Sequence, residues 1–111
     1  INIEELQNDK KEESSACIRS RVMKALEVQK QRYEGTAYRF NADILPQDVP
    51  KYCVAEEKAH DTLMRIYAKL RLSVRAYHKL LKVSRTIADL EQSDMILDKH
   101  IKEAACYRFS V

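Results

Sequence analysis

Apolar residues recur every three or four positions in four segments of the chain, and this spacing predicts four amphipathic helices. The predicted helices run from Ser14 or Ser15 to Tyr33, from Ala55 to Leu70, from Val74 to about Leu90, and from a cap at Asp98 onward. Residues 36–45 lack this spacing, and a single helical turn is predicted between Asp48 and Cys53. The pattern therefore predicts an all-α fold, a small four-helix bundle with an irregular insert between the first two long helices.

The same spacing predicts which face of each helix is buried. The expected core residues are Ile18, Val22, Ala25, Leu26 and Tyr33 in the first helix, Ala59, Leu63, Ile66, Tyr67 and Leu70 in the second, Ala76, Tyr77, Leu80, Leu81, Ser84, Ile87 and Ala88 in the third, and Ile101, Ala104 and Ala105 in the last. Ser73 is a good N-cap for the third helix, and Gly35 stands where a helix C-cap belongs.

Residues 1–13 are polar and lack helical spacing, so we predict that they form a linker. The chain begins at Ile1 and not at a methionine, which leads us to expect a piece of a longer protein. Residues 14–111 then form one helical domain, because a chain of 111 residues supports a single hydrophobic core.

The scarcity of glycine restricts the nucleotide sites that the chain can build. Gly35 is the only glycine, whereas loops that bind phosphate through backbone N–H groups need several. An autonomous phosphate-binding loop is therefore excluded.

Histidine and cysteine spacing predicts neither a metal site nor a redox motif. The histidines are His60, His78 and His100, and the cysteines are Cys17, Cys53 and Cys106. None of them falls in an HExxH or CxxC pattern. We expect reduced thiols of a cytoplasmic protein, most of them packed as small apolar side chains. The longest stretch without a charged residue is residues 14–18, so no membrane partner is expected.

Positive charge is concentrated in the second and third predicted helices. No acidic residue occurs between Asp61 and Asp89. The Lys and Arg residues in this stretch are Arg65, Lys69, Arg71, Arg75, Lys79, Lys82 and Arg85. Such a bias indicates a nearby anion, or else a solvated face that acids on other helices neutralise.

Arg75 fits its position least well, because it lies in the first turn of the third helix. A cation at this positive end of a helix costs about 0.3–1 kcal/mol unless an anion binds there. With Lys79 and Lys82, Arg75 would form a stripe facing phosphate. An ion pair between Arg75 and Glu57 or Asp61 is the alternative that spacing leaves open.

Two further pairs have more than one interpretation. Tyr67 and Tyr77 could stack on nucleic-acid bases, although tyrosines at helical spacing more often belong to the core. Arg85 and Asp89, four residues apart, are expected to form an ion pair on the helix surface and not a site.

Five ordered segments carry recognisable motifs. Residues 72–90 read LSVRAYHKLLKVSRTIADL, residues 14–22 read SSACIRSRV, and Gln31-Arg32-Tyr33 precedes Asn41-Ala42. The series is completed by Tyr52-Cys53 and by residues 94–101 with Glu103-Ala104 and Tyr107-Arg108. These segments resemble the Mg-chelatase-related AAA+ ATPases of the ComM/YifB group, whose pattern in the third helix is LSxRAxx(R/K)LL(K/R)VARTIADL.

The resemblance implies that the chain is the C-terminal helical lid of an AAA+ module and is not an enzyme on its own. Arg75 would be the sensor-2 arginine, against the γ-phosphate of ATP, acting either within its own subunit or on a neighbour. Arg71, Lys79 and Lys82 are candidates for phosphate or inter-subunit contacts. The full-length protein would bind ATP and Mg²⁺ through an upstream AAA+ core, form a homo-oligomeric ring, expected to be hexameric, and act on DNA.

A rival interpretation makes the chain a free-standing helical module that binds nucleic acid. The phosphate contacts would then come from the basic residues Arg71, Arg75, Lys79, Lys82 and Arg85. Such a module binds DNA alone, with an affinity that falls steeply as salt rises, whereas a lid does not.

Overall fold

The computed structural model describes the backbone of residues 3–109 and the side chains of residues 15–107, and this part of the chain is helical. Its α-helices are α1 (Ile3–Arg32), α2 (Val49–Tyr52), α3 (Glu57–Lys69), α4 (Val74–Leu90) and α5 (Asp98–Phe109). Two short 3-10 helices, Asn41–Asp43 and Pro46–Asp48, lie between α1 and α2. No β-strand occurs within residues 3–109, so the predicted all-α class is confirmed.

Helix α4 is central, because α1, α2, α5 and the turn at Asn41 all pack against it. Helix α3 in turn packs on α5. The apolar core that these contacts enclose consists of Tyr33, Ile44, Val49, Cys53, Ala59, Leu63, Leu80, Leu81, Ile87, Ala88, Ile96, Ile101, Ala104 and Ala105. Burial of this apolar surface is the main term that stabilises the fold.

Helix α4 confirms the sequence prediction at both ends, from Val74 to Leu90. The Ser73 hydroxyl accepts a hydrogen bond from the backbone N–H of Ala76 at 3.1 Å, as an N-cap should. The predicted helical turn before Cys53 is also confirmed, as α2 and the 3-10 turn ahead of it.

Helix α1 differs from the prediction at its N-terminal end. It begins at Ile3, inside the segment predicted to be a linker, and not at Ser14 or Ser15. Residues 15–24 are all exposed, and the expected core residues Ile18, Val22 and Leu26 are 39–47 % exposed. The buried residues at the C-terminal end are Ala25, Gln29 and Tyr33. Helix α1 thus meets the core near its end, and the predicted four-helix bundle remains a prediction.

Helix α3 begins two residues later than predicted, at Glu57. The preceding residues are occupied by a β-bridge between Ala55 and Ile96. The Ile96 N–H donates to the Val54 carbonyl at 2.9 Å, and the Glu56 N–H donates to the Ile96 carbonyl at 3.0 Å. These long-range hydrogen bonds hold the backbone extended and delay the helix.

Helix α5 begins at Asp98, but Asp98 is not its cap. The capping position is Leu97, and its backbone N–H donates a hydrogen bond to Nδ1 of His100, the third residue of the helix, at 2.9 Å. Asp98 lies in the first turn, where a hydrogen bond from Thr62 and the ammonium of Lys102 hold the pKa of its carboxyl below the usual range.

The His100 imidazole is fully buried and contacts acid as well as backbone. Its Nε2 lies 2.8 Å from the Glu91 carboxylate, and the Lys99 ammonium lies 2.8 Å from the same oxygen. Hydrogen bonds from Lys99 and His100 lower the pKa of Glu91. Because Nδ1 accepts a hydrogen bond, Nε2 carries the proton of the neutral ring and donates to Glu91. His100 thereby joins α5 to the residue that follows α4.

Helices α3 and α4 are each followed within two residues by a position in the left-handed region, Arg71 at φ 50° and Gln92 at φ 60°. After α4, the Ser93 N–H donates to the Ala88 carbonyl at 2.8 Å, and the Gln92 N–H donates to the Asp89 carbonyl at 3.1 Å. This pair of bonds defines a Schellman C-cap, whose left-handed position favours glycine.

We expect Gln92→Gly to stabilise the chain by about 0.5–1 kcal/mol, because glycine adopts positive φ without strain. The measurement is the midpoint of thermal unfolding, which should rise by a few degrees. Gly35→Ala is the reverse control. Gly35 has φ 81° and open space where a Cβ would lie, so alanine there should destabilise the chain through the backbone alone. A lower midpoint for Gln92→Gly would contradict this account of the C-cap.

Candidate functional site

The N-terminal end of α4 carries an arginine that no described side chain pairs with. Arg75 lies in the first helical turn and is exposed to solvent. Its guanidinium makes no hydrogen bond or ion pair with any residue whose side chain the structure describes, so the alternative pairing with Glu57 or Asp61 does not form. The partial positive charge at the helix end and the unpaired guanidinium therefore both favour binding of an anion.

A groove of about 500 Å³ lies beside Arg75. Its lining consists of Pro46, Val74, Arg75, His78, Lys79 and Lys82. Positions i, i+4 and i+7 share one helix face, which is why α4 brings Arg75, Lys79 and Lys82 together as the spacing predicts. Arg71 does not line this groove.

The cations of this region are not neutralised by acids from the other described helices. The residues without an ion pair to any described side chain are Arg65, Lys69, Arg71, Arg75, Lys79 and Lys82. Lys82, which is half-buried, donates to the backbone carbonyl of Ala42 at 3.3 Å. Within residues 15–107, no direct ion pair from another helix neutralises these six cations.

Arg85 departs from the expectation, because its side chain is buried and fully engaged. Only 2 % of Arg85 is exposed. Its Nε donates to Asp89 at 3.2 Å, and its two terminal nitrogens donate to the carbonyls of Ser93 at 2.5 Å and Asp94 at 2.8 Å. The predicted Arg85–Asp89 ion pair forms, but in the interior and not on the surface. Arg85 is unavailable to an external phosphate.

Asp89 is the centre of a polar cluster that sequence reasoning did not identify. Its carboxylate is fully buried and receives both terminal nitrogens of Arg32, at 2.7 and 2.8 Å. The Asn41 side-chain amide donates to the same carboxylate at 2.9 Å. We call Arg32, Asn41, Arg85 and Asp89 the Asp89 clamp. Two of the motif segments of the sequence converge on it, which is the signal that could have revealed it.

Tyr33 extends the Asp89 clamp into the core. Its hydroxyl donates to the Asn41 side-chain oxygen, and burial raises the pKa of Tyr33 to about 12, so the phenol stays protonated. Its ring packs edge-on against Tyr52 and Tyr38, with ring centroids 5.1 and 6.1 Å apart.

Tyr67 and Tyr77 pack on each other, with ring centroids 5.3 Å apart at an angle of 80°. Both rings are half-buried, which favours the core interpretation over base stacking.

The cysteines correct one expectation. All three are free, but only Cys53 is buried, whereas Cys17 and Cys106 are exposed. Burial raises the pKa of the Cys53 thiol to about 11, which keeps it protonated and unreactive.

The described part of the chain offers neither a metal-ligand cluster nor a membrane-spanning helix. Its side chains include no group of three or more His, Cys, Asp or Glu residues placed to hold a metal ion. None of its helices combines the length and apolarity that crossing a membrane requires.

Comparison with known proteins places the chain in a family. Residues 12–108 match the family model described as magnesium chelatase, subunit ChlI C-terminal. The chain is 41% identical over 99 residues to Competence protein ComM of Haemophilus influenzae, a match that covers 89% of this chain and 19% of that protein. It is 40% identical over 102 residues to Uncharacterized protein YifB of Salmonella typhimurium, covering 92% of this chain and 19% of that protein.

The chain therefore spans about a fifth of the length of these curated relatives. No solved structure matches it. Since the family model covers most of the chain and these relatives match 89% and 92% of it at 41% and 40% identity, the chain belongs to the family of C-terminal domains of magnesium-chelatase-related proteins.

Proposed function

We propose that this chain is the sensor-2 lid of a Mg-chelatase-related AAA+ ATPase, with Arg75 against the γ-phosphate of ATP. The upstream AAA+ core of the same polypeptide supplies the glycine loop, and the bundle closes over the nucleotide. Neighbouring subunits complete a homo-oligomeric ring, expected to be hexameric, that acts on DNA. The lid has no catalytic activity by itself.

The observation that carries the proposal is the guanidinium of Arg75, which lies in the first turn of α4 with no partner among the described side chains. A guanidinium hydrogen-bonds two phosphate oxygens at once, and the positive end of the helix adds to its field. Positive charge at this point stabilises the negative charge that spreads over the phosphoryl oxygens in the transition state. Loss of the γ-phosphate removes the partner of Arg75, so the lid changes its angle to the core.

The groove fits a polyphosphate. It is lined by three basic side chains and no acidic one among the described residues, with Lys79 and Lys82 one and two turns beyond Arg75. The same part of the chain offers no cluster of metal ligands, so Mg²⁺ would enter with ATP and be held by the core. ATP supplies the reactive phosphate, and this chain contributes charge and orientation.

The rival nucleic-acid module loses one of its five contacts, since Arg85 is buried in the Asp89 clamp. The remaining exposed cations would still attract a polyanion. The two functions differ in a simple binding experiment. The isolated chain, titrated with a short DNA duplex at 50 and 200 mM salt, should bind weakly at both under the lid proposal. Tight binding that falls steeply with salt would favour the module.

In the full-length protein, Arg75→Ala should lower ATP turnover about 10- to 100-fold, because a charged hydrogen bond to the transition state is lost. The matched control is Arg65→Ala, which removes the same charge from an exposed site on α3 outside the groove. Steady-state ATPase assays of both variants provide the measurement. Equal turnover by Arg75→Ala and Arg65→Ala would refute the sensor-2 assignment.

A further inference from the structure

The Asp89 clamp joins parts of the chain that are remote in sequence. Arg32 closes α1 and Asp89 lies 57 positions later, near the end of α4. Each terminal nitrogen of Arg32 meets its own oxygen of Asp89, at 2.7 and 2.8 Å. Such a two-pronged contact fixes direction as well as distance, because the guanidinium and carboxylate planes must align.

Asn41 and Arg85 also contact the Asp89 carboxylate, from other sides. The Asn41 amide also donates to the Thr86 hydroxyl at 3.1 Å, one turn back along α4. Arg85 reaches from α4 to the carbonyls of its own following loop, at Ser93 and Asp94. Within the clamp, Arg32 is thus the ionic contact that crosses from α1 to α4, whereas Arg85 binds within α4 and the loop after it.

The clamp and the groove lie toward opposite ends of one helix. Asp89 is fourteen residues after Arg75, a separation of about 21 Å along a helix that rises 1.5 Å per residue. The intervening face is packed against the core through Leu80, Ser84 and Ala88. A packed helix moves as a rigid rod, so the angle set at Asp89 determines where Arg75 points.

From this geometry we infer that Arg32 is a positioning residue for Arg75. Through the two-pronged contact with Asp89, Arg32 makes the direction of α4 follow that of α1, and Arg75 moves with α4. The inference rests on the proposed function, because it assumes that Arg75 meets a nucleotide and that α1 leads back to the upstream core. Arg32 itself touches no nucleotide.

The test compares Arg32→Lys with Arg85→Lys in the full-length protein. Both variants keep the charge and weaken a contact to Asp89, but Arg32→Lys alone loosens the link between α1 and α4. Arg32→Lys should lower kcat for ATP about 3- to 30-fold, with the KM changed by less than about twofold. Arg85→Lys should leave kcat within about twofold, at a temperature where circular dichroism shows every variant folded.

A double-mutant cycle with Arg75→Ala separates positioning from general destabilisation. If Arg32 acts through Arg75, Arg32→Lys has no further effect in the Arg75→Ala background. The inference would be overturned if the losses of kcat multiply in the double variant. Equal losses of kcat in Arg32→Lys and Arg85→Lys would also overturn it. A milder variant, Asn41→Ser, leaves both ion pairs but removes the 3.2 Å hydrogen bond that Arg32 donates to the Asn41 side chain. It should lower kcat by a smaller factor than Arg32→Lys does, and an unchanged kcat would count against the inference.

The cycle also distinguishes the two proposals. Normal turnover in Arg75→Ala removes the proposed function, and the role of Arg32 falls with it. Reduced turnover in Arg75→Ala together with normal turnover in Arg32→Lys leaves the sensor-2 lid intact and removes only the positioning role.

Discussion

Asp89→Ala is expected to destabilise this chain by about 3–5 kcal/mol, because it leaves the buried guanidinium of Arg85 and the partly buried one of Arg32 without their carboxylate. Domains of this kind are stable by about 5–15 kcal/mol in total, so a large share of the stability would be lost. The measurement is thermal unfolding of the 111-residue chain followed by circular dichroism, with a midpoint lowered by at least about 15 °C.

Two variants calibrate the Asp89→Ala result. Asp61→Ala removes an exposed carboxylate that has no ion pair among the described side chains, and should change stability by less than about 0.5 kcal/mol. Asp89→Asn keeps one oxygen that can accept a hydrogen bond from Arg32. Its loss of stability should therefore fall between those of Asp89→Ala and Asp61→Ala. A midpoint for Asp89→Ala close to that of Asp61→Ala would show that the Asp89 clamp contributes little to the fold.

His100→Ala is expected to cost about 2–4 kcal/mol. The substitution leaves a cavity where a fully buried ring stood, and it deprives the Leu97 N–H of its acceptor at the start of α5. Glu91 also loses a hydrogen-bond donor at 2.8 Å. Urea unfolding of the chain measures the effect as a lower midpoint with an unchanged slope.

Two control variants separate the hydrogen bond between Leu97 and His100 from the general loss of a histidine. His60→Ala removes an exposed ring and should be close to neutral. His100→Gln should recover part of the loss, because glutamine at the third helical position can accept the N–H of the capping residue. If His100→Gln is no better than His100→Ala, the contact to Leu97 is not what His100 contributes.

The exposed cations of α4 should respond to substitution differently from the buried Asp89 clamp. Arg75, Lys79 and Lys82 lie on one face of α4 without an ion pair to any described side chain, so an anion bound beside them would reduce their mutual repulsion. Under the proposed function, substituting these exposed cations should affect nucleotide handling and change stability little. Substitutions in the Asp89 clamp should instead lower stability strongly, because the clamp is buried and has no direct contact with a ligand.

Helix α4 was predictable in detail because its signals are local. A serine cap and a helical apolar face both act within a few residues, and they locate Val74–Leu90 correctly. The position of Arg75 in the first turn follows directly from that cap. That it pairs with neither Glu57 nor Asp61 did not follow, since both acids lie on another helix whose orientation no local signal encodes.

Arg85 shows the same limit from the other side. In the sequence it is one cation in an acid-free stretch, equivalent to Arg75 or Lys79. Its burial depends on the loop at Ser93 and Asp94 folding back along α4, and on Arg32 arriving from α1. Charge counting cannot separate a cation that faces solvent from one that binds backbone carbonyls inside the fold.

The order and type of the helices, the capping at Ser73 and the family are readable from the residues alone, because helix formation and motif spacing depend on neighbours within about one or two turns. The burial and pairing of individual side chains depended on long-range packing. It exposed Ile18 and Val22 on α1, buried the Asp89 clamp, and left Arg75 beside its groove with no partner among the described side chains. Burial is a property of contacts between residues far apart in the chain, and periodicity identifies an apolar or charged face without identifying what covers it.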